Sequence, residues 1–100
     1  MKQVVFHETG LPENVLQLEE IEKPTPAAKE ALIRITARNI NPSDMMFVQG
    51  LYGITPKLPS SAGFEASGVV EESGTFPKGT RVMFTSVGTW KEYTCVPDAG

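Results

Sequence analysis

Glu30-Ala31-Leu32-Ile33-Arg34-Ile35-Thr36-Ala37-Arg38-Asn39-Ile40 runs directly into Asn41-Pro42-Ser43-Asp44, and the fold is decided at that junction. Leu32 and Ile35 are spaced as on a helix. However, Ile33-Arg34-Ile35-Thr36-Ala37-Arg38 alternates apolar with polar side chains, which favours a half-buried strand. Pro42 suits the first turn of a helix, where its missing N–H is no loss, and Asn41 is a good N-cap before it. The helix is expected to carry Met45, Met46, Phe47 and Val48 and to stop at Gly50.

Upstream of this junction, residues 2–6 form a β-branched run closed by the turn cluster Thr9-Gly10-Leu11-Pro12. Residues 15–21 read as a second strand, with Leu16, Leu18 and Ile21 as its apolar positions. Lys23-Pro24-Thr25-Pro26 breaks any regular element, since each proline removes a donor and restricts its predecessor. Downstream, Gly53, Pro56 and Pro59 make residues 51–62 a loop. Residues 65–72 read as a strand in which Gly68 marks a bulge or a close backbone approach. Residues 74–79 are a turn, and residues 80–85 and 89–96 are two further strands. About six short strands with one short helix predict a mainly β chain folded as a small irregular β-barrel. No internal repeat occurs, and no glycine-rich dinucleotide loop lies between a strand and a helix.

Composition narrows the function classes. A length of 100 residues suffices for one domain, and 40% hydrophobic with 21% charged residues fits an ordinary soluble core. The net charge of -3 comes without any basic cluster, which argues against a nucleic-acid partner. Cys95 is the one cysteine, so no internal disulfide and no multi-cysteine metal site can form here, and a reducing compartment fits best. No apolar run approaches the roughly 20 residues of a membrane span, and Met1-Lys2-Gln3-Val4-Val5-Phe6-His7 lacks a signal-peptide core. The expected location is the cytoplasm, or an organelle for a processed enzyme, with no membrane partner.

The motifs Asn41-Pro42-Ser43-Asp44, Gln49-Gly50-Leu51-Tyr52, Gly63-Phe64-Glu65-Ala66-Ser67-Gly68-Val69-Val70, Lys78-Gly79-Thr80-Arg81-Val82 and Gly88-Thr89-Trp90-Lys91-Glu92-Tyr93 follow one another in an order and spacing that resemble the medium-chain dehydrogenase/reductases. No one of them is specific alone; the ordered set is, and the resemblance covers nearly the whole chain. It implies that residues 1–100 form a GroES-like β-barrel, the N-terminal, substrate-side domain of a longer enzyme whose Rossmann cofactor domain is absent from this chain.

In the zinc alcohol dehydrogenases of that superfamily a cysteine matches Asn41 and a histidine matches Phe64. An amide is a poor zinc ligand and a phenyl ring is none, so the resemblance implies a zinc-independent branch. Asn-Pro-Ser-Asp and Gln-Gly-Leu-Tyr are similar to the 2-enoyl thioester reductases, with NADPH:quinone oxidoreductases as the alternative. The implied reaction moves hydride from NADPH to an activated C=C bond or a quinone. The implied partners are a small-molecule substrate and further copies of the parent, as a homodimer or higher oligomer.

Tyr52 is the catalytic candidate that the resemblance supplies. A phenol can donate a hydrogen bond to an enolate oxygen, whereas the plainer reading is an aromatic packing its loop onto the barrel. Asn41 and Asp44 are the cofactor-side candidates. Asn41 is expected to use its amide oxygen as a cap and leave its nitrogen free, and Asp44 sits where a negative charge favours the helix dipole. Glu65 reads as an ion-pair or hydrogen-bond partner rather than a base. Cys95 reads as buried and inert, and the lone His7 receives no role. Outside this class, a 100-residue GroES-like chain also has the length of a co-chaperonin-type structural module or a free-standing binding domain. The motifs from Asn41 to Glu65 are foreign to the former.

Overall fold

The computed structural model describes Met1–Asp98. Its strands are β1 (Lys2–Phe6), β2 (Gln17–Glu20), β3 (Glu30–Arg38), β4 (Ser60–Ser61), β5 (Glu65–Glu72), β6 (Arg81–Thr85) and β7 (Tyr93–Pro97). The helices are α1 (Pro12–Val15) and α2 (Pro42–Gln49). They build two antiparallel sheets, of order β2-β1-β4 and β6-β5-β3-β7. The chain is mainly β, as expected.

The expected single barrel does not close among the described residues. The two sheets remain separate, tied by the bridge of Gln3 to Lys91 and by hydrogen bonds such as Val4 N–H to the Trp90 carbonyl at 2.9 Å. A second helix, α1, stands where only a turn was expected. Pro12 opens it, and it is anchored by Val15, which is buried. The strand read over residues 15–21 is accordingly shorter, and Leu18 on it faces solvent. Residues 51–62 are not all loop, because Ser60 and Ser61 pair with Phe6 and Val5. The last strand begins at Tyr93 rather than at Thr89.

The alternation in β3 does what it predicts: Ile33 and Ile35 are buried while Arg34 and Thr36 face water. Ile35 stands opposite Gly68 of β5. A Cβ on Gly68 would lie 2.4 Å from the Arg34 carbonyl oxygen, so only glycine permits the strands to approach this closely. Ala31, Ile33 and Val70 form a small core on this sheet.

The larger core lies under α2. Phe6, Val15, Phe47, Val48, Ala62 and Trp90 form it, with Met45 and Phe64 packed against it. Phe47 meets Phe6 edge to face with ring centroids 5.8 Å apart. Burying a phenylalanine of this kind contributes about 2–3 kcal/mol. The helix ends as its sequence demands. Gly50 takes the left-handed conformation at φ 76°, and Leu51 N–H donates to the Met46 carbonyl at 2.9 Å. These contacts fix the N-terminus of α2 beside the start of β5, where the candidate residues gather.

Candidate functional site

Phe64 is the hub of the site. One face of its ring meets Phe47 edge to face at 5.1 Å, which ties it to the core. The Tyr52 ring lies 5.6 Å away from it, tilted by 40°. Tyr52 is 40% exposed, so its ring is held by packing while the residue remains open to solvent. Both readings of this tyrosine, packing and presenting a hydroxyl, are therefore compatible with its position.

Asp44 lies in the first turn of α2, as expected. It is fully buried, and its Oδ2 accepts a 2.6 Å hydrogen bond from the main-chain N–H of Asn41. Its Oδ1 has no partner among the described residues. Within this domain Asp44 therefore supports Asn41 through that bond. The burial follows from helical geometry: Asp44 lies on the face of α2 that also carries Phe47 and Val48.

Asn41 is half-buried, and its nitrogen is not free. Its Nδ2 reaches Glu65 Oε2 at 3.5 Å, a long and weak bond, while Asn39 Nδ2 donates to the same oxygen at 2.7 Å. Glu65 thus gathers two amides from the β3–α2 connection onto the start of β5. Its role as a hydrogen-bond partner agrees with the sequence reading, but Asn39 as the stronger donor was missed. The Asn39 carbonyl in turn accepts from the Trp90 indole N–H at 3.2 Å, so one residue links the carboxylate to the buried tryptophan.

Behind Phe64, Gly63 sits at φ 94°, and a Cβ there would lie 2.2 Å from Thr89 Oγ1 and 2.5 Å from the Trp90 ring. The glycine is what lets Phe64 and Glu65 turn into place over Trp90.

Cys95 is half-buried rather than buried. Burial and then Glu30 push its thiol pKa up, while Lys91 pulls the other way. The balance leaves a poor nucleophile. Burial also holds the Lys91 ammonium below its ordinary range, offset in part by Cys95. His7 is exposed and pairs with Glu19. No three His, Cys, Asp or Glu side chains among the described residues come together as a metal donor set.

Residues 27–100 match the alcohol dehydrogenase GroES-like domain family. The chain belongs to that family. Its relatives include enzymes of the kinds the sequence motifs resemble. The GroES-like domain is 36% identical over 93 residues to the mitochondrial enoyl-[acyl-carrier-protein] reductase of Xenopus tropicalis, covering 87% of this chain and 27% of that protein. It is 32% identical over 104 residues to the quinone oxidoreductase of Lama guanicoe, covering 98% of this chain and 32% of that one. A mycobacterial protein solved in complex with NADPH superposes with a TM-score of 0.85 at 32% identity, over 98% of this chain and 30% of its own. The chain thus spans about a third or less of the length of the curated relatives it matches.

Proposed function

We propose that this GroES-like domain is the substrate-side half of an oxidoreductase that reduces an activated C=C bond, a 2-enoyl thioester, with NADPH and without zinc. NADPH supplies the hydride. Among the described residues no glycine-rich loop joins a strand to a helix, so its pyrophosphate is assigned to a separate cofactor domain. The reading rests above all on Tyr52, whose ring is braced by Phe64 while the residue stays open to solvent.

Adding hydride to the β-carbon of an enoyl thioester places negative charge on the thioester oxygen. The Tyr52 hydroxyl is the donor suited to stabilise that charge, and a braced ring needs no reorganisation to do so. Asn41, held by Asp44 from within and Glu65 from outside, is the cofactor-side contact. The donor set speaks against zinc: an amide at Asn41 and a phenyl ring at Phe64 stand where zinc enzymes of the superfamily place ligands. No step is routed through a metal.

Quinone reduction is the second reading, because a quinone oxidoreductase stands among the relatives. Steady-state NADPH oxidation by the full-length protein, with a crotonyl thioester and with a small quinone, separates the two. Preference for the thioester that survives a zinc chelator is the expected result. Activity with neither substrate, or activity lost to the chelator, sinks the proposal. The 100-residue chain alone should oxidise no NADPH. Homo-oligomerisation of the parent and a cytoplasmic location are part of the same proposal, checked by sedimentation and by fractionation.

A further inference from the structure

Two amides of the β3–α2 connection meet one carboxylate at the start of β5, and the two bonds differ in kind. Asn39 Nδ2 donates to Glu65 Oε2 at 2.7 Å, at the short end expected when the acceptor is charged. Asn41 Nδ2 reaches the same oxygen at 3.5 Å, the limit of a hydrogen bond. So weak a bond adds little stability. It still tells the two ends of the Asn41 amide apart.

An amide carries an acceptor oxygen at one end and two N–H donors at the other. Turned over, Asn41 would set its oxygen against a carboxylate oxygen, and two acceptors repel. Glu65 therefore selects the orientation in which the Asn41 nitrogen faces it. The selection is only as good as the placement of the carboxylate. Glu65 makes no ion pair among the described residues, so its short bond is the one from Asn39. Asn39 is held in turn by its main-chain carbonyl, which accepts from the indole N–H of Trp90 at 3.2 Å. Trp90 belongs to the core under α2. A line of contacts thus runs from the core through Trp90, Asn39 and Glu65 to Asn41. Glu65 takes one of the Nδ2 hydrogens of Asn41, and the other has no partner among the described residues.

We propose that Asn39 is a positioning residue for the cofactor: through Glu65 it sets the Asn41 amide so that the second Nδ2 hydrogen is presented to an oxygen of bound NADPH. This rests on the reading of Asn41 as the cofactor-side contact. Asn39 itself touches no cofactor. Its loss frees Glu65 to turn away, and Asn41 then samples both amide orientations.

A double-mutant cycle in the full-length protein tests this, with the NADPH Kd read from cofactor fluorescence. Asn39→Ala should raise the Kd about fivefold, and Asn39→Gln, which keeps a donor, should recover most of the loss. In an Asn41→Ala background, Asn39→Ala should raise the Kd no further. A residue that merely steadied the fold would act equally in both backgrounds. The KM for a crotonyl thioester and the unfolding midpoint should not move with Asn39→Ala, whose Trp90 bond is made by the main chain and survives. Should Asn41→Ala fail to fold, Asn39→Ala and Asn39→Gln decide by themselves: an unchanged Kd in the former, or an equal loss in both, overturns the role. An equal rise in both backgrounds, or a Kd indifferent to Asn41→Ala, also overturns it while NADPH-dependent reduction by the unaltered protein stands. An unaltered protein that binds no NADPH removes both.

Discussion

Tyr52 and Phe64 lie with ring centroids 5.6 Å apart, and Phe64 is itself locked edge to face on Phe47 at 5.1 Å. An exposed aromatic is thereby coupled, through one intermediary, to a residue that is 1% exposed. The coupling separates what the ring does from what its hydroxyl does, and a single-atom change can tell them apart.

Tyr52→Phe keeps the ring contact and removes only the hydroxyl. In the full-length protein it should lower kcat for thioester reduction on the order of 100-fold, the usual cost of losing one donor to a developing oxyanion. Quinone reduction should fall far less, and the unfolding midpoint should stay within about 0.5 kcal/mol of the parent. An unchanged kcat with both substrates removes the hydroxyl from the mechanism.

Gly63→Ala should destabilise the domain by about 2–4 kcal/mol, combining an unfavourable left-handed backbone with overpacking against Thr89 and Trp90. Denaturant titration followed by Trp90 fluorescence measures it. A loss under 1 kcal/mol would mean that the Thr89 and Trp90 side chains retreat at little cost.

Asp44→Ala should cost about 1–3 kcal/mol, since it removes the acceptor for Asn41 N–H and leaves that donor without its partner. Asp44→Asn retains a carbonyl acceptor and should cost less. Equal losses for the two variants would show that the charge, not the hydrogen bond, holds the N-terminus of α2.

Cys95 carries a pH dependence of definite sign. Its pKa in the folded chain is raised above the model-compound value of 9.0, by burial first. The folded form therefore keeps its proton where the unfolded form has lost it. The stabilisation is complete below pH 9.0 and is lost as pH rises through the folded value. Lys91, whose pKa is lowered from 10.5, acts in the opposite sense over the alkaline range, so the comparison must be made against Cys95→Ala. The unaltered protein should lose stability faster than Cys95→Ala above pH 9.0. At lower pH, iodoacetamide should alkylate native Cys95 more slowly than the unfolded chain.

What could be read from the chain was whatever neighbours dictate. The alternation over Ile33-Arg34-Ile35 fixed the face of β3, and Pro42 with Gly50 fixed both ends of α2. Gly68 was rightly marked, and the Arg34 carbonyl explains why. What escaped depends on distant partners. Two serines make β4 only because Val5 and Phe6 stand across from them. One turn of helix at Pro12–Val15 persists because Val15 finds the core around Phe47 and Val48. The site fared alike. Asn41 as a cap is local and could be read; the convergence of Asn39 and Asn41 on Glu65 joins residues 26 and 24 positions apart and could not. Asp44 could be placed in the first turn of α2 from its neighbours, but its full burial depends on the helical phase it shares with Phe47 and Val48.

The order β6-β5-β3-β7 also bears on synthesis. β3 is interior to its sheet, yet both of its partners follow it in the chain, and β7 is the last strand described. On the ribosome β3 emerges with both edges bare and waits several seconds, at ordinary elongation rates, before β7 can seal the second. During that interval an apolar, β-branched strand is open to pairing with other nascent chains. The hazard in expressing this protein should thus lie in the pace of translation between β3 and β7, and slowing that interval with rare codons should raise the aggregated fraction.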